Sequence, residues 1–120
     1  MGTYQQLEQH FKQIADFEHT MGILHWDHAV MMPSGSAAPR AEALATLSGH
    51  LHRLNTDPRI MEWVEAAAGE ELDEWQVANL REIRRSYLMN TALPGDLVEA
   101  LSRATSEAEH AWRTLRVEND

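Results

Sequence analysis

The stretch TYQQLEQHFKQIADFEHTMGILHWDHAVMMPSG, Thr3 to Gly35, decides how the chain folds. Leu7, Phe11, Ile14, Phe17, Met21 and Leu24 recur every three or four residues, the period at which side chains line one face of an α-helix. Thr3 followed by Gln6 has the spacing of a capping box. Together they predict one amphipathic helix from about Thr3 to about Val30, roughly 40 Å long at 1.5 Å per residue. Met31-Met32-Pro33-Ser34-Gly35 stops it. The residue before a proline is pushed out of the α region, and glycine permits a sharp change of direction.

The rest of the chain repeats the pattern. A second helix is predicted from near Ser36, with Pro39 in its first turn and an apolar row of Ala41, Leu44, Leu47, Leu51 and Leu54. Asn55-Thr56-Asp57-Pro58 ends it and caps a short third helix with the stripe Ile60, Val64 and Ala67 and a stop at Gly69. Asp73 and Gln76 repeat the capping-box spacing and open a fourth helix through Leu80, Ile83 and Tyr87, broken at Leu93-Pro94-Gly95-Asp96. The last helix has the cleanest row, Leu97, Leu101, Ala104, Ala108, Ala111 and Leu115, which is expected to be the seam of an antiparallel bundle. No segment alternates with period two over a strand length. The expected fold is all-α, an antiparallel bundle of about four long helices and one short one, with residues 1–120 forming a single unit. The row still in phase at Leu115, with no Gly or Pro after it, leads us to expect a fragment of a larger helical protein.

Composition narrows function by exclusion. There is no cysteine, so disulfides, thiolate nucleophiles and Cys-based zinc sites are absent, which fits a reducing compartment such as the cytoplasm. The 19 acidic residues outnumber the 10 Lys and Arg, giving a formal charge of −9 that repels nucleic acid and anionic lipid. No apolar run of membrane-spanning length and no basic leader is seen in the sequence.

The histidines invite a metal reading that their spacing does not sustain. His25 and His28 are neighbours on one helical face, and Glu107-x-x-His110 is half of a di-iron motif, but that motif must occur twice and does not. None of the seven histidines is followed by glutamate, so His-Glu-x-x-His, the zinc-protease helix, is missing. Histidines on a half-exposed helix face, with polar partners or water, are the plainer expectation. Asp27 lies near a helix C-terminus, where the macrodipole disfavours an acid by about 0.3–1 kcal/mol. Arg40, just inside the next helix, is the cation a hairpin would bring to it, the alternative being a solvated acid at a frayed end. Trp26, Trp63, Trp75 and Trp112 are expected at the edges of the core.

Two runs carry a family resemblance. Leu24-His25-Trp26-Asp27-His28-Ala29-Val30-Met31-Met32-Pro33-Ser34-Gly35 followed by Arg40-Ala41-Glu42-Ala43-Leu44-Ala45-Thr46-Leu47, and later Leu72 to Gln76, Ala78 to Glu82, Ala92-Leu93-Pro94 and Leu97 to Thr105, resemble the N-terminal region of the carboxypeptidase Taq family of metallocarboxypeptidases. The resemblance implies a helical enzyme that removes C-terminal residues from peptides. It further implies zinc or cobalt held by a His-Glu-x-x-His helix and a later glutamate, none of which is in this chain. It therefore assigns no catalytic and no metal residue here, expects no cofactor on this chain, and leaves Trp26, Asp27 and Arg40 as structural or cleft-lining residues. The partners it implies are a peptide substrate in the intact enzyme and the catalytic remainder. A free-standing module that pairs with a second copy through its apolar rows is the alternative, and a metal-binding bundle using His25, His28 and His110 is the third reading.

Overall fold

In a computed structural model, the described residues, 2–118, form five α-helices and no strand. These are α1 (Thr3–Val30), α2 (Ala37–Asn55), α3 (Arg59–Ala67), α4 (Glu74–Thr91) and α5 (Gly95–Val117), with a 3-10 turn at Ser34–Ser36 before α2. Four are long and α3 is short, as the periodicity predicts. Among the described residues no helix is long and apolar enough to cross a membrane.

The caps show why the boundaries fall where they do. Asp73 Oδ1 accepts from the Gln76 backbone N–H at 2.8 Å while Gln76 Oε1 accepts from the Asp73 N–H at 3.0 Å, so the box that opens α4 forms as expected. The box expected at Thr3 and Gln6 does not form. Gly2 is the N-cap instead, with its N–H on Gln5 Oε1, and the Thr3 N–H donates to Glu70 Oε1, which reaches across from the end of α3. A tertiary acceptor thus satisfies an orphan donor that a local cap was expected to satisfy.

Two packing centres lie along α1. Its N-terminal half meets α3 and α4 in a cluster of Tyr4, Leu7, Ile60, Val64, Ala67, Leu80 and Ile83, with Phe11, Trp63, Leu72 and Tyr87 packed on it. Its C-terminal half forms a hairpin with α2, where Ala41, Leu44, Ala45 and Leu51 are buried, and α5 lies antiparallel on α2. Trp63 sits at a core edge as expected, whereas Trp26, Trp75 and Trp112 are exposed, Trp75 at 86%.

The largest departure from expectation is α5. Its apolar row does not form a seam within this chain: Leu97, Leu101 and Leu115 are 50%, 64% and 42% exposed, and Ala104, Ala108 and Ala111 are exposed with them. The helix docks on α2 through the opposite face. Ser48 Oγ meets Ser102 Oγ at 3.2 Å, Arg103 donates to both Glu42 oxygens, Ser106 is buried, and the Glu99 carboxylate lies where a Cβ on Gly49 would be. Small residues permit this close approach, and the flanking ion pairs fix its register.

The result is elongated, 59 × 25 × 23 Å, with a radius of gyration of 18.0 Å. A compact chain of this length would have about 14 Å. The accessible surface of 8052 Å² likewise exceeds the roughly 6,600 Å² usual for a folded monomer of this mass.

Candidate functional site

The most built-up polar region is the junction of the α1 C-terminus with α2 and α5. α1 needs partners there because its last carbonyls have no intrahelical donors. Two come from the following turn, where the Met31 and Met32 N–H groups both donate to Asp27 O, at 2.9 and 2.7 Å. Arginines from two different helices add to these, Arg113 on the donorless His28 carbonyl and Arg40 on the Asp27 carboxylate and on Leu24 O one turn further in. Arg40 Nη1 donates to Leu24 O at 3.3 Å and to Asp27 Oδ2 at 2.6 Å, and Arg113 Nη1 from α5 donates to His28 O at 2.8 Å. Two guanidinium charges at a helix C-terminus oppose the negative end of the macrodipole and offset the Asp27 carboxylate. The Asp27–Arg40 contact is partly buried on both sides, so solvent screens it less than a surface pair.

His28 occupies the centre of this junction and is only 1% exposed. Neither ring nitrogen has a hydrogen-bond partner, and Glu109 Oε2 stands 3.8 Å from Nε2, beyond bonding distance. His110 Nδ1 is also buried without a partner. The expectation of half-exposed histidines with polar partners therefore fails at His28, while His25 is exposed.

Burial holds the His28 pKa below its ordinary 6.5, and the charges of Arg113, Arg40 and His110 push the same way against Glu109. The unfolded chain takes up this proton first as the pH drops. The stabilisation from neutral His28 is thus complete above about pH 6.5 and is lost as the pH falls through that value toward the lower folded-state pKa. Denaturant midpoints measured from pH 7.5 to 5 should fall more steeply for the natural chain than for His28→Gln. Equal slopes would show that His28 is not the group responsible.

Beside His28 a groove of about 530 Å³ runs between α1 and α5, walled by His25, Ala29, Glu109, Trp112 and Arg113. Trp26 does not line it. It lies on the outer face of α1 with Ile23 and Val30, all more than half exposed, where a shallower hollow is bounded by His19, Gly22, Ile23 and Trp26. Asp27 and Arg40 are brought together, and Trp26 stands apart from them.

The residues present do not fit a metal. Among the described residues no three His, Asp or Glu side chains are grouped so as to hold an ion. His25, His28 and His110 accordingly form no ligand set among the described residues. Sequence reasoning missed Arg113, Glu109 and the burial of His28. The signal was the polar face of α5, on which Glu109, His110 and Arg113 are neighbours, but that face looks solvated once the leucine row is taken as the seam.

The fold and the junction define an elongated helical unit with wide apolar faces and no catalytic metal set among its described residues. The chain belongs to the carboxypeptidase Taq (M32) metallopeptidase family, whose sequence pattern it matches over residues 6–120. It is 34% identical to thermostable carboxypeptidase 1 of Thermus thermophilus and 30% identical to that of Pyrococcus furiosus, in each case over 98% of this chain and 24% of the relative. The solved structure of Trypanosoma cruzi metallocarboxypeptidase 1 superposes with a TM-score of 0.76 at 34% identity, again over 98% of this chain and 24% of that one. The chain thus spans about a quarter of the length of the relatives it matches.

Proposed function

We propose that the chain is the N-terminal helical portion of a metal-dependent carboxypeptidase, which shapes the peptide groove of the intact enzyme without performing the chemistry. The intact enzyme would remove C-terminal residues from peptides, with zinc or cobalt held by residues outside this chain. The observation that carries the reading is the mismatch of coverage. Nearly all of this chain matches the family, it accounts for 24% of the relatives, and its described residues group no metal ligands.

In this reading the Asp27–Arg40 pair and Arg113 fix the angle at which α1 meets α2 and α5, and Trp26 lines the wall that peptides pass. The absence of cysteine supports a cytoplasmic location. The test is replacement of the matching quarter of the Thermus thermophilus carboxypeptidase by this chain. Metal-dependent release of C-terminal residues by the chimaera, and none by the Thermus protein lacking that quarter, is the expected result. Equal activity in the truncated protein would contradict it.

A self-pairing interaction module is the second reading, and the exposed α5 leucines favour it. Its acidic surroundings do not.

A further inference from the structure

The outward face of α5 is the largest feature left unexplained by the junction. From Leu97 to Leu115 it presents leucines at both ends and Ala104, Ala108 and Ala111 between them, a ridge about 27 Å long at 1.5 Å per residue. An alanine-centred ridge admits a second helix at short interaxial distance, with the partner's larger side chains filling the space. One flank carries Trp112, with Arg116 over its ring at 5.2 Å. The other flank carries Asp96, Glu107 and Glu118. These three are eleven residues apart, three helical turns, so they line a single edge of the ridge. Among the described residues none of the three makes an ion pair.

That edge argues about the occupant. In an antiparallel pair of two copies, related by a twofold axis near the middle of α5, each acidic edge meets the acidic edge of the other copy. Glu107 then lies near its own symmetry mate and Asp96 near Glu118, and both chains carry a formal charge of −9. A second copy in that arrangement is repelled where it should be held. The relatives offer another occupant, because three quarters of their length lies outside the part this chain matches.

We infer that the outward face of α5 is a docking surface for an α-helix from the remaining part of the carboxypeptidase, one with large apolar side chains opposite Ala104, Ala108 and Ala111 and Lys or Arg along the edge that meets Asp96, Glu107 and Glu118. This inference rests on the proposed function. It adds which face is covered and the chemistry of what covers it.

The chain contains no cysteine, so single cysteines report on the face directly. Leu101→Cys and Ala108→Cys are placed in the isolated chain and in the Thermus chimaera. Labelling by a small maleimide is read by mass spectrometry at each site and referenced to the same protein in denaturant. The expected result is labelling near the unfolded rate in the isolated chain and at least about a hundredfold slower in the chimaera, as for a site that must open before it reacts. Equal labelling in both overturns the proposal. An active chimaera with reactive cysteines would sink the docking face while leaving the functional reading intact. An inactive chimaera with protected cysteines would do the reverse. Protection in the isolated chain that grows with concentration, with a dimer mass, overturns the proposal in favour of a second copy. If the chimaera does not fold, the isolated variants are mixed with the Thermus protein lacking its matching quarter, and unslowed labelling again counts against the face.

Discussion

Leu7→Ala should destabilise the chain by about 2–5 kcal/mol, the range for removing a fully buried leucine and leaving a cavity. Leu7 is 0% exposed and sits among Tyr4, Ile60, Val64 and Ala67, where α1 meets α3. α3 is a short helix of nine residues, held by packing and hardly by its own hydrogen bonds, so the site cannot collapse around the void without moving it. Leu101→Ala removes the same atoms from a helix and should change stability by no more than about 0.5 kcal/mol, because Leu101 is already in water. Urea titration of the two variants checks both numbers, with the difference read from midpoints at constant slope. A large loss for Leu101→Ala would mean that the α5 row is covered within this chain after all.

Arg40→Ala should cost about 1–3 kcal/mol, the range for a hydrogen bond to a charged group whose partner is left behind. One nitrogen serves both Leu24 O and Asp27 Oδ2, so the substitution leaves a carboxylate beside the negative end of α1 without its paired cation, Arg113 remaining on the His28 carbonyl. Arg40→Lys should recover part of the loss, since an ammonium keeps the charge but not the planar geometry. The effect should be local as well as global. Amide exchange at the last turn of α1 should accelerate more than at Leu7 or Ile14. Uniform acceleration would place the role of Arg40 in general packing instead of helix-end capping.

These two sites also mark what was legible in the sequence. Leu7 belongs to a row with helical period, and the row alone placed it in the core. The Asp27–Arg40 contact followed from a carboxylate at an unfavourable helix end and the nearest cation beyond a Pro-Gly break. The box at Asp73 and Gln76 was legible because both partners are local. The cap at Thr3 was not, because its acceptor is Glu70, which the fold brings from far along the chain.

The orientation of α5 was illegible for a different physical reason. Periodicity shows that Leu97 to Leu115 share a face, yet it is silent on which element covers that face. The helix docks instead through Ser102, Ser106 and the ion pair of Arg103 with Glu42, residues that look solvated when read alone. The row is a true helical face, but within this chain it points outward. His28 follows from that orientation, since α5 covers it with the face that carries Arg113, whose guanidinium reaches the His28 carbonyl.

A scaffold that groups no metal ligands among its described residues should not hydrolyse peptides by itself. The purified 120-residue chain is given a peptide with a free C-terminus, with zinc or cobalt added in excess, and release of the terminal amino acid is followed. No release above the metal-only blank is predicted. Metal-dependent release that scales with the concentration of this chain would contradict it.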